Sequence, residues 1–394
     1  MPYGFTPEHL ALAEKVRTFA DTVVRPAAYD WDTRRELPLD VIAEMGRMGL
    51  FGLPLPPEFG GTGADYTAFC LAVEQIARVD QSLAVTLEAG IGLGAMPVLR
   101  FGTEEQKRQW LPSLATGQAL AAFGLTEAGS GSDASGTRTT ADLVGGEWVL
   151  NGSKQFITNS GTPITTLVTI TAVTGERTRD DGTRVPELSA FLVPVPSEGL
   201  AVGPAYDKVG WHTSDTHPLT LTDVHIPEES LLGERGRGYA YAVTCLDEGR
   251  IAFAALCTGA AQGCLEEAIR HSHERQVFGR ALEDNQHVAF MIARMQARVH
   301  TARLAWVEAA RLMDTGVRFK MAASLAKLVG AEAAVANAHD ASQIFGGYGF
   351  LNENLVARHY RDAKVLEVGE GTTEVQLAVI ARELGLTGAG LTRR

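Results

Sequence analysis

Val368-Gly369-Glu370-Gly371-Thr372-Thr373-Glu374 sets one carboxylate between two glycines. Without a Cβ on either side, backbone and ligand can approach Glu370 closely, and the glutamate itself is a base. Taken alone, Gly-Glu-Gly is also an ordinary exposed turn. Two further segments change its meaning. Gly124-Leu125-Thr126-Glu127-Ala128-Gly129-Ser130-Gly131-Ser132-Asp133-Ala134-Ser135-Gly136 crowds four glycines and four hydroxyl residues into thirteen positions between apolar stretches. Gln343-Ile344-Phe345-Gly346-Gly347-Tyr348-Gly349-Phe350 follows a long helical pattern and can bring backbone amides against a phosphate or a ring system.

At 394 residues, 45% hydrophobic and 21% charged, the chain can bury large cores in two or three domains. A net charge of -12 argues against a duplex nucleic-acid binder, which needs clustered cations on phosphates, but leaves an anionic small ligand open. Met1 to Pro7 lacks the basic start and apolar core of a secretory signal. The most apolar window, Ser82 to Leu99, carries Glu88 among several glycines and alanines and reads as buried protein rather than a membrane span. Cys70, Cys245, Cys257 and Cys264 show no metal-ligand spacing; they read as core thiols of a cytoplasmic protein, and no metal is expected.

The hydrophobic period changes twice along the chain. From Pro7 to about Ser113, patterns such as Leu10-Ala11-Glu14-Val16-Phe19 and Phe69-Val73-Ile76-Ala77 recur at three and four residues, as packed helices require. From about Leu120 to Ile226 short alternating runs predict strands: Glu147 to Leu150, Leu167 to Thr171 and Ala190 to Val193. The charged stretch Glu176 to Pro186 reads as a solvated hairpin loop. After Gly233, helical runs return over Tyr239 to Arg275, Asn285 to Thr315, Arg318 to Gly346 and Glu374 to Leu384, enough for a bundle. Gly233-Glu234-Arg235-Gly236-Arg237-Gly238 lacks the strand-to-helix setting of a nucleotide loop, and no Rossmann fingerprint, P-loop or internal repeat is present.

Together these segments closely resemble the signature segments of the acyl-CoA dehydrogenase family, and the resemblance runs through nearly the whole chain. It implies an α+β fold with an N-terminal all-α domain (1–119), a middle β-barrel or sandwich-like domain (120–233) and a C-terminal four-helix bundle (234–394), with FAD between the last two. The loop from Phe123 to Ser132 matches the family's flavin cradle, which assigns Phe123, Leu125, Gly131 and Ser132 to the cofactor and gives Thr126 a bond to the isoalloxazine. The family usually has Pro at Ala128 and Ala at Ser130; both changes keep the residue small. Lys154-Gln155-Phe156-Ile157-Thr158-Asn159 resembles the strand whose aromatic, often Trp where Phe156 stands, stacks on the flavin and whose threonine, Thr158, bonds near N5.

Glu274 to Arg280 and Asn285-Gln286 match the segment that reaches the pyrophosphate and adenosine, with Arg275, Phe278 and Gln286 in contact. In the family this segment, together with Gln343, Gly346 and Gly347, touches the cofactor of a neighbouring subunit, so a homotetramer is expected. Thr372 and Glu374 complete the cofactor set. Asp247 and Arg250 read from spacing as a helical ion pair; the resemblance gives them coenzyme A, and gives Ser132 and the backbone at Gly371 to the substrate.

Some relatives, including isovaleryl-CoA dehydrogenases, carry the catalytic base immediately before that helical arginine. Here the position is Gly249, which leaves Glu370 as the base. Glu248, roughly 100° around the helix, reads as a solvated charge. The implied reaction is α,β-dehydrogenation of an acyl-CoA to the trans-2-enoyl-CoA: Glu370 removes the α-proton and flavin N5 accepts the β-hydride. Electron-transferring flavoprotein is the expected acceptor. The alternatives on this scaffold are an acyl-CoA oxidase, a flavin monooxygenase or nitroalkane oxidase, and a non-enzymatic alkylation-response protein that binds DNA. Leu87 to Met96 borders either the acyl pocket or a close helix contact, and chain length stays open.

Overall fold

The computed structural model describes residues 2–178 and 182–386; the tip of the 176–186 loop, Arg393 and Arg394 lie outside them. Seven helices come first: α1 (Pro7–Phe19), α2 (Arg25–Arg34), α3 (Leu39–Arg47), α4 (Tyr66–Ala77), α5 (Gln81–Ala89), α6 (Met96–Phe101) and α7 (Glu104–Ala115). Local chemistry sets their starts. Thr6 and Thr103 each close a capping box, with His9 and Gln106 respectively, while Asp65 and Asp80 accept from the amides of Ala68 and Leu83. The apolar segment Gln81–Phe101 is long enough to cross a membrane but is 89% buried inside the protein, as a core helix is. Its Gly90–Ala95 turn is π-helical, a local widening that often marks a functional site.

Seven strands follow: β1 (Leu120–Gly124), β2 (Thr140–Val144), β3 (Glu147–Thr158), β4 (Thr165–Thr178), β5 (Arg184–Pro194), β6 (Leu200–Val202) and β7 (Thr216–Pro227). They form one curled sheet in the order β1-β4-β2-β3-β7-β6, with β5 also paired to β4. The predicted strand runs fall inside β3, β4 and β5. The segment read as a solvated hairpin loop is a solvated hairpin whose loop is shorter than expected: β4 and β5 stay paired out to Thr178 and Arg184. Both strands project past the core into solvent, where polar side chains cost a ladder nothing.

The C-terminal part comprises α8 (Gly238–Glu274), the small hairpin β8 (Gln276–Val277) and β9 (Arg280–Ala281), then α9 (Gln286–Asp314), α10 (Lys320–Phe345), α11 (Leu355–Ala363) and α12 (Thr373–Glu383). The four predicted helices are present within two residues of their expected ends. The sequence reading missed α11, a nine-residue helix whose buried residues include Arg358, His359 and Asp362 beside Val356, Ala357 and Ala363.

Two hydrophobic cores result. One lies within the sheet, around Trp148, Ile170, Phe191 and Leu221. The other runs continuously from α1 through α4 and α5 into α8, α9 and α10, fusing the N- and C-terminal helices. The α4–α8 crossing demands glycine: a Cβ at Gly259 would lie 2.2 Å from the Glu74 carbonyl oxygen, and one at Gly263 would lie 2.1 Å from that of Arg78. The four cysteines are free and buried, as expected, and no cluster of metal-ligating residues occurs among the described residues.

Candidate active site

Glu370 stands in the turn before α12 with φ at +53°, left-handed for a residue with a side chain, followed by Gly371 at +91°. Such strain persists only where neighbours over-determine it. Here Lys327 on α10, wholly buried, donates to the Gly371 carbonyl at 2.8 Å, and Gln376 donates to the same oxygen at 2.9 Å. Thr372 caps α12 by accepting from the Val375 amide. The turn is therefore tied to two helices.

The side chain reaches α8 at Gly249, where a Cβ would lie 2.7 Å from Glu370 Oε2. A side chain at 249 and the Glu370 carboxylate compete for one space, which is the physical content of their exclusive use as base positions. Oε2 is closed off from solvent and receives no hydrogen bond. Burial pushes the carboxyl up to a pKa of about 7, against the opposing charges of Arg250 and Lys327 and a hydrogen bond with Glu88.

Next along α8, Asp247 and Arg250 are buried and paired, and Lys320 Nζ lies 3.6 Å from Asp247. Burial, the largest cause, still leaves the Asp247 carboxyl above its ordinary pKa. Glu248 is not solvated as expected. It is 4% exposed and pairs with Arg100 at 3.1 Å, while Tyr66 donates to its carbonyl. Rotation about the helix moved it away from the base but toward α6, not toward water.

The 124–136 loop is anchored beneath by a buried ion pair. Glu127 receives Lys154 Nζ at 2.8 Å, the Thr139 hydroxyl at 2.6 Å and the amides of Arg138 and Thr139. The Gln155 amide donates to the Thr126 carbonyl at 2.8 Å, joining the loop to β3. Above this anchor the backbone is open: a Cβ at Gly129 or Gly131 would meet nothing within 4 Å, and Ser132 is exposed. Phe123 and Leu125 lie below, half-buried and buried. Phe156 sits in a break of the β3–β7 register with φ at +60°, its ring 63% exposed and 5.1 Å from the Tyr206 ring. The bulge turns that ring out of the sheet, with half-buried Thr158 two residues on.

A second set lines a different groove of about 380 Å³. Arg275, just past α8, faces Gly346 and Gly347, just past α10, with His271, Phe345 and Tyr348. Phe278 tops the β8–β9 hairpin at φ +49° and is fully exposed. Gln286, Gln343 and Glu374 are also exposed, and Thr372 is half-buried. None of the Glu370, Thr126 or Phe156 group lines this groove.

Two residues at the base escaped the sequence reading. Glu88 figures only as an interruption of an apolar window, and Lys327 falls unremarked inside the helical run Arg318 to Gly346. In each, a lone charge in an otherwise apolar helical run was the available signal.

The chain thus presents an open glycine-lined loop, an aromatic turned outward from β3 and a half-buried glutamate whose Oε2 is closed off from solvent. The descriptions Acyl-CoA dehydrogenase N-terminal, middle and C-terminal domain match residues 6–118, 122–224 and 236–385. The chain is 41% identical over 384 residues to probable acyl-CoA dehydrogenase YngJ of Bacillus subtilis (strain 168), covering 98% of this chain and 100% of that one. Butyryl-CoA dehydrogenase from Megasphaera elsdenii superposes with a TM-score of 0.92 at 36% identity, covering 97% of this chain and 99% of that chain. Acyl-CoA dehydrogenase complexed with FAD from Bacillus anthracis gives a TM-score of 0.90 at 31% identity, with 98% of this chain and 68% of that chain covered. The protein belongs to the acyl-CoA dehydrogenase family. It is a flavoprotein oxidoreductase, and FAD is its cofactor.

Proposed function

We propose that the protein dehydrogenates short acyl-CoA thioesters to trans-2-enoyl-CoA, with Glu370 as the base that takes the α-proton. The observation that carries this reading is the Glu370 carboxylate, enclosed against Gly249 with a pKa raised to about 7, where a carboxylate is both ionised and basic enough to accept a carbon-bound proton. FAD supplies the two-electron acceptance when bound. Phe156 supports the ring, Thr126 and Thr158 hydrogen-bond its polar edge, and Phe123, Leu125, Gly131, Ser132, Thr372 and Glu374 complete the cradle. Asp247 and Arg250 hold coenzyme A, with Ser132 and the Gly371 backbone at the thioester. The likeness to a butyryl-CoA dehydrogenase supports a short acyl group.

Arg275, Phe278, Gln286, Gln343, Gly346 and Gly347 serve the cofactor of a neighbouring subunit in a homotetramer. The exposed rings of Phe278, Tyr348 and Phe350 beside the second groove support that assignment. Electron-transferring flavoprotein is the acceptor we assign, and four buried free thiols suit a reducing cytoplasm. The test is anaerobic titration with butyryl-CoA. Wild type bleaches; Glu370→Gln retains its flavin yet does not bleach. Full reduction of that variant would sink the assignment.

A further inference from the structure

Glu88 has no part in the roles above, yet it is the most enclosed carboxyl beside the base. It lies in the last turn of α5 with no exposed surface. Neither of its oxygens receives a hydrogen bond from a protein donor. Its side chain reaches across Gly92 toward α8: a Cβ at Gly92 would lie 3.2 Å from Glu88 Oε1 and 3.9 Å from the Gly249 Cα. From the other side Glu370 Oε2 reaches Gly249 as well, and it too lacks a donor. The two carboxyl groups thus converge on α8 at Gly249 from opposite sides.

Carboxylates are acceptors only. Two of them converging on one glycine and closed off from solvent carry a high cost when both are charged, and a proton held by one relieves it. The surroundings decide which one holds it. Arg250 on α8 and Lys327 on α10 face Glu370 and favour its anion. Burial and the charge on Glu370 push Glu88 well above the carboxylate range, with no cation opposing. Tyr66 and Cys70 on α4, and Cys245 and Cys257 on α8, are all pushed up by burial and stay neutral at the same place.

We propose that Glu88 is a proton-bearing positioning residue whose carboxyl donates one hydrogen bond to Glu370, holding the base ionised and fixed over Gly249. The inference rests on the reading of Glu370 as the base. The proton on Glu88 is not the one transferred. The α-carbon's proton passes to Glu370, leaving two neutral carboxyls, and loss of that proton from Glu370 to solvent restores the pair.

The holoenzyme and its Glu88→Leu, Glu88→Gln and Glu370→Gln variants test this through the pH dependence of anaerobic bleaching by butyryl-CoA and through infrared spectra of the resting proteins. Glu88→Leu removes the donor and shifts the acid limb upward by about one pH unit, roughly tenfold slower bleaching below the limb. Glu88→Gln keeps an amide donor and returns the limb near its wild-type position. The resting enzyme at about pH 8 shows a protonated-carboxyl stretch that disappears in Glu88→Gln and persists in Glu370→Gln. A limb that stays put or moves down in Glu88→Leu overturns the proposal, since an ionised Glu88 would raise the base and its loss would lower it. So does a wild-type spectrum without that stretch, whether or not the variants fold. Bleaching by Glu370→Gln defeats the base assignment alone, and the infrared result still judges Glu88.

Discussion

At the residue scale, turnover by the proposed base depends on the pKa of Glu370. A free glutamate titrates at about 4.3, and an anion that weak accepts a carbon-bound proton poorly. Burial moves Glu370 to about 7, and Arg250 and Lys327 keep it from rising further. Because the base acts deprotonated, kcat/KM for butyryl-CoA should rise with pH and level off above a limb at about 7; a limb in the ordinary carboxylate range would show that the enclosure is not felt by the base. The candidate for this base was legible in sequence, since the choice between 249 and 370 reduces to which one carries an acid. Its tuning was not. Lys327 and Glu88 lie 43 residues before and 282 before it in the chain, and no local pattern ties them to the turn.

At the scale of elements, the loop proposed to cradle the flavin is held by a strand. Glu127 and Lys154 form the clasp: Glu127 neutralises a lysine with no exposed surface and gathers the Thr139 hydroxyl and two backbone amides. Even so paired, burial lowers the Lys154 pKa to about 8. Glu127→Ala strands that amine in the sheet, and breaking such a pair costs about 3–5 kcal/mol. Denaturant unfolding should show that loss, with reduced flavin content as the loop parts from β3; full stability and a full flavin complement would show the clasp to be dispensable. The loop was readable from its glycines and hydroxyls. The outward turn of Phe156 was not, because a bulge is fixed by how β3 pairs with β7, and a phenylalanine in an alternating run gives no sign of positive φ.

For the whole molecule, the residues proposed for the cofactor fall into two groups that one chain keeps apart. None of Thr126, Phe156 and Glu370 lines the groove of Arg275, Gly346 and Gly347, beside the fully exposed Phe278. If the groove serves the flavin of a neighbour, Phe278→Asp should lower flavin content and shift the sedimenting species toward smaller assemblies, while leaving the monomer's fold intact by circular dichroism. A flavin-replete tetramer from that variant would remove Phe278 from the interface. The shared core of the two helical parts has a comparable logic. Glu74 on α4 accepts from Arg303 at 2.8 Å and from Trp306 at 2.9 Å on α9, so helices more than 200 residues apart in sequence are locked by one carboxylate.

By itself the sequence determined the order of helical and stranded parts and the ends of four C-terminal helices, because periodicity and capping residues act over a few residues. It misread Glu248, where a charged residue was taken to mean solvent, drew the loop of the 176–186 hairpin too wide, and passed over α11. Only the tertiary structure decided those cases. Arg100 gives Glu248 a partner, β4 and β5 sustain each other beyond the core, and Trp211 donates its amide to Asp362 at 2.6 Å inside the α11 contact. A charge can be buried wherever the fold brings it a partner, and partners distant in the chain leave no mark on the local sequence.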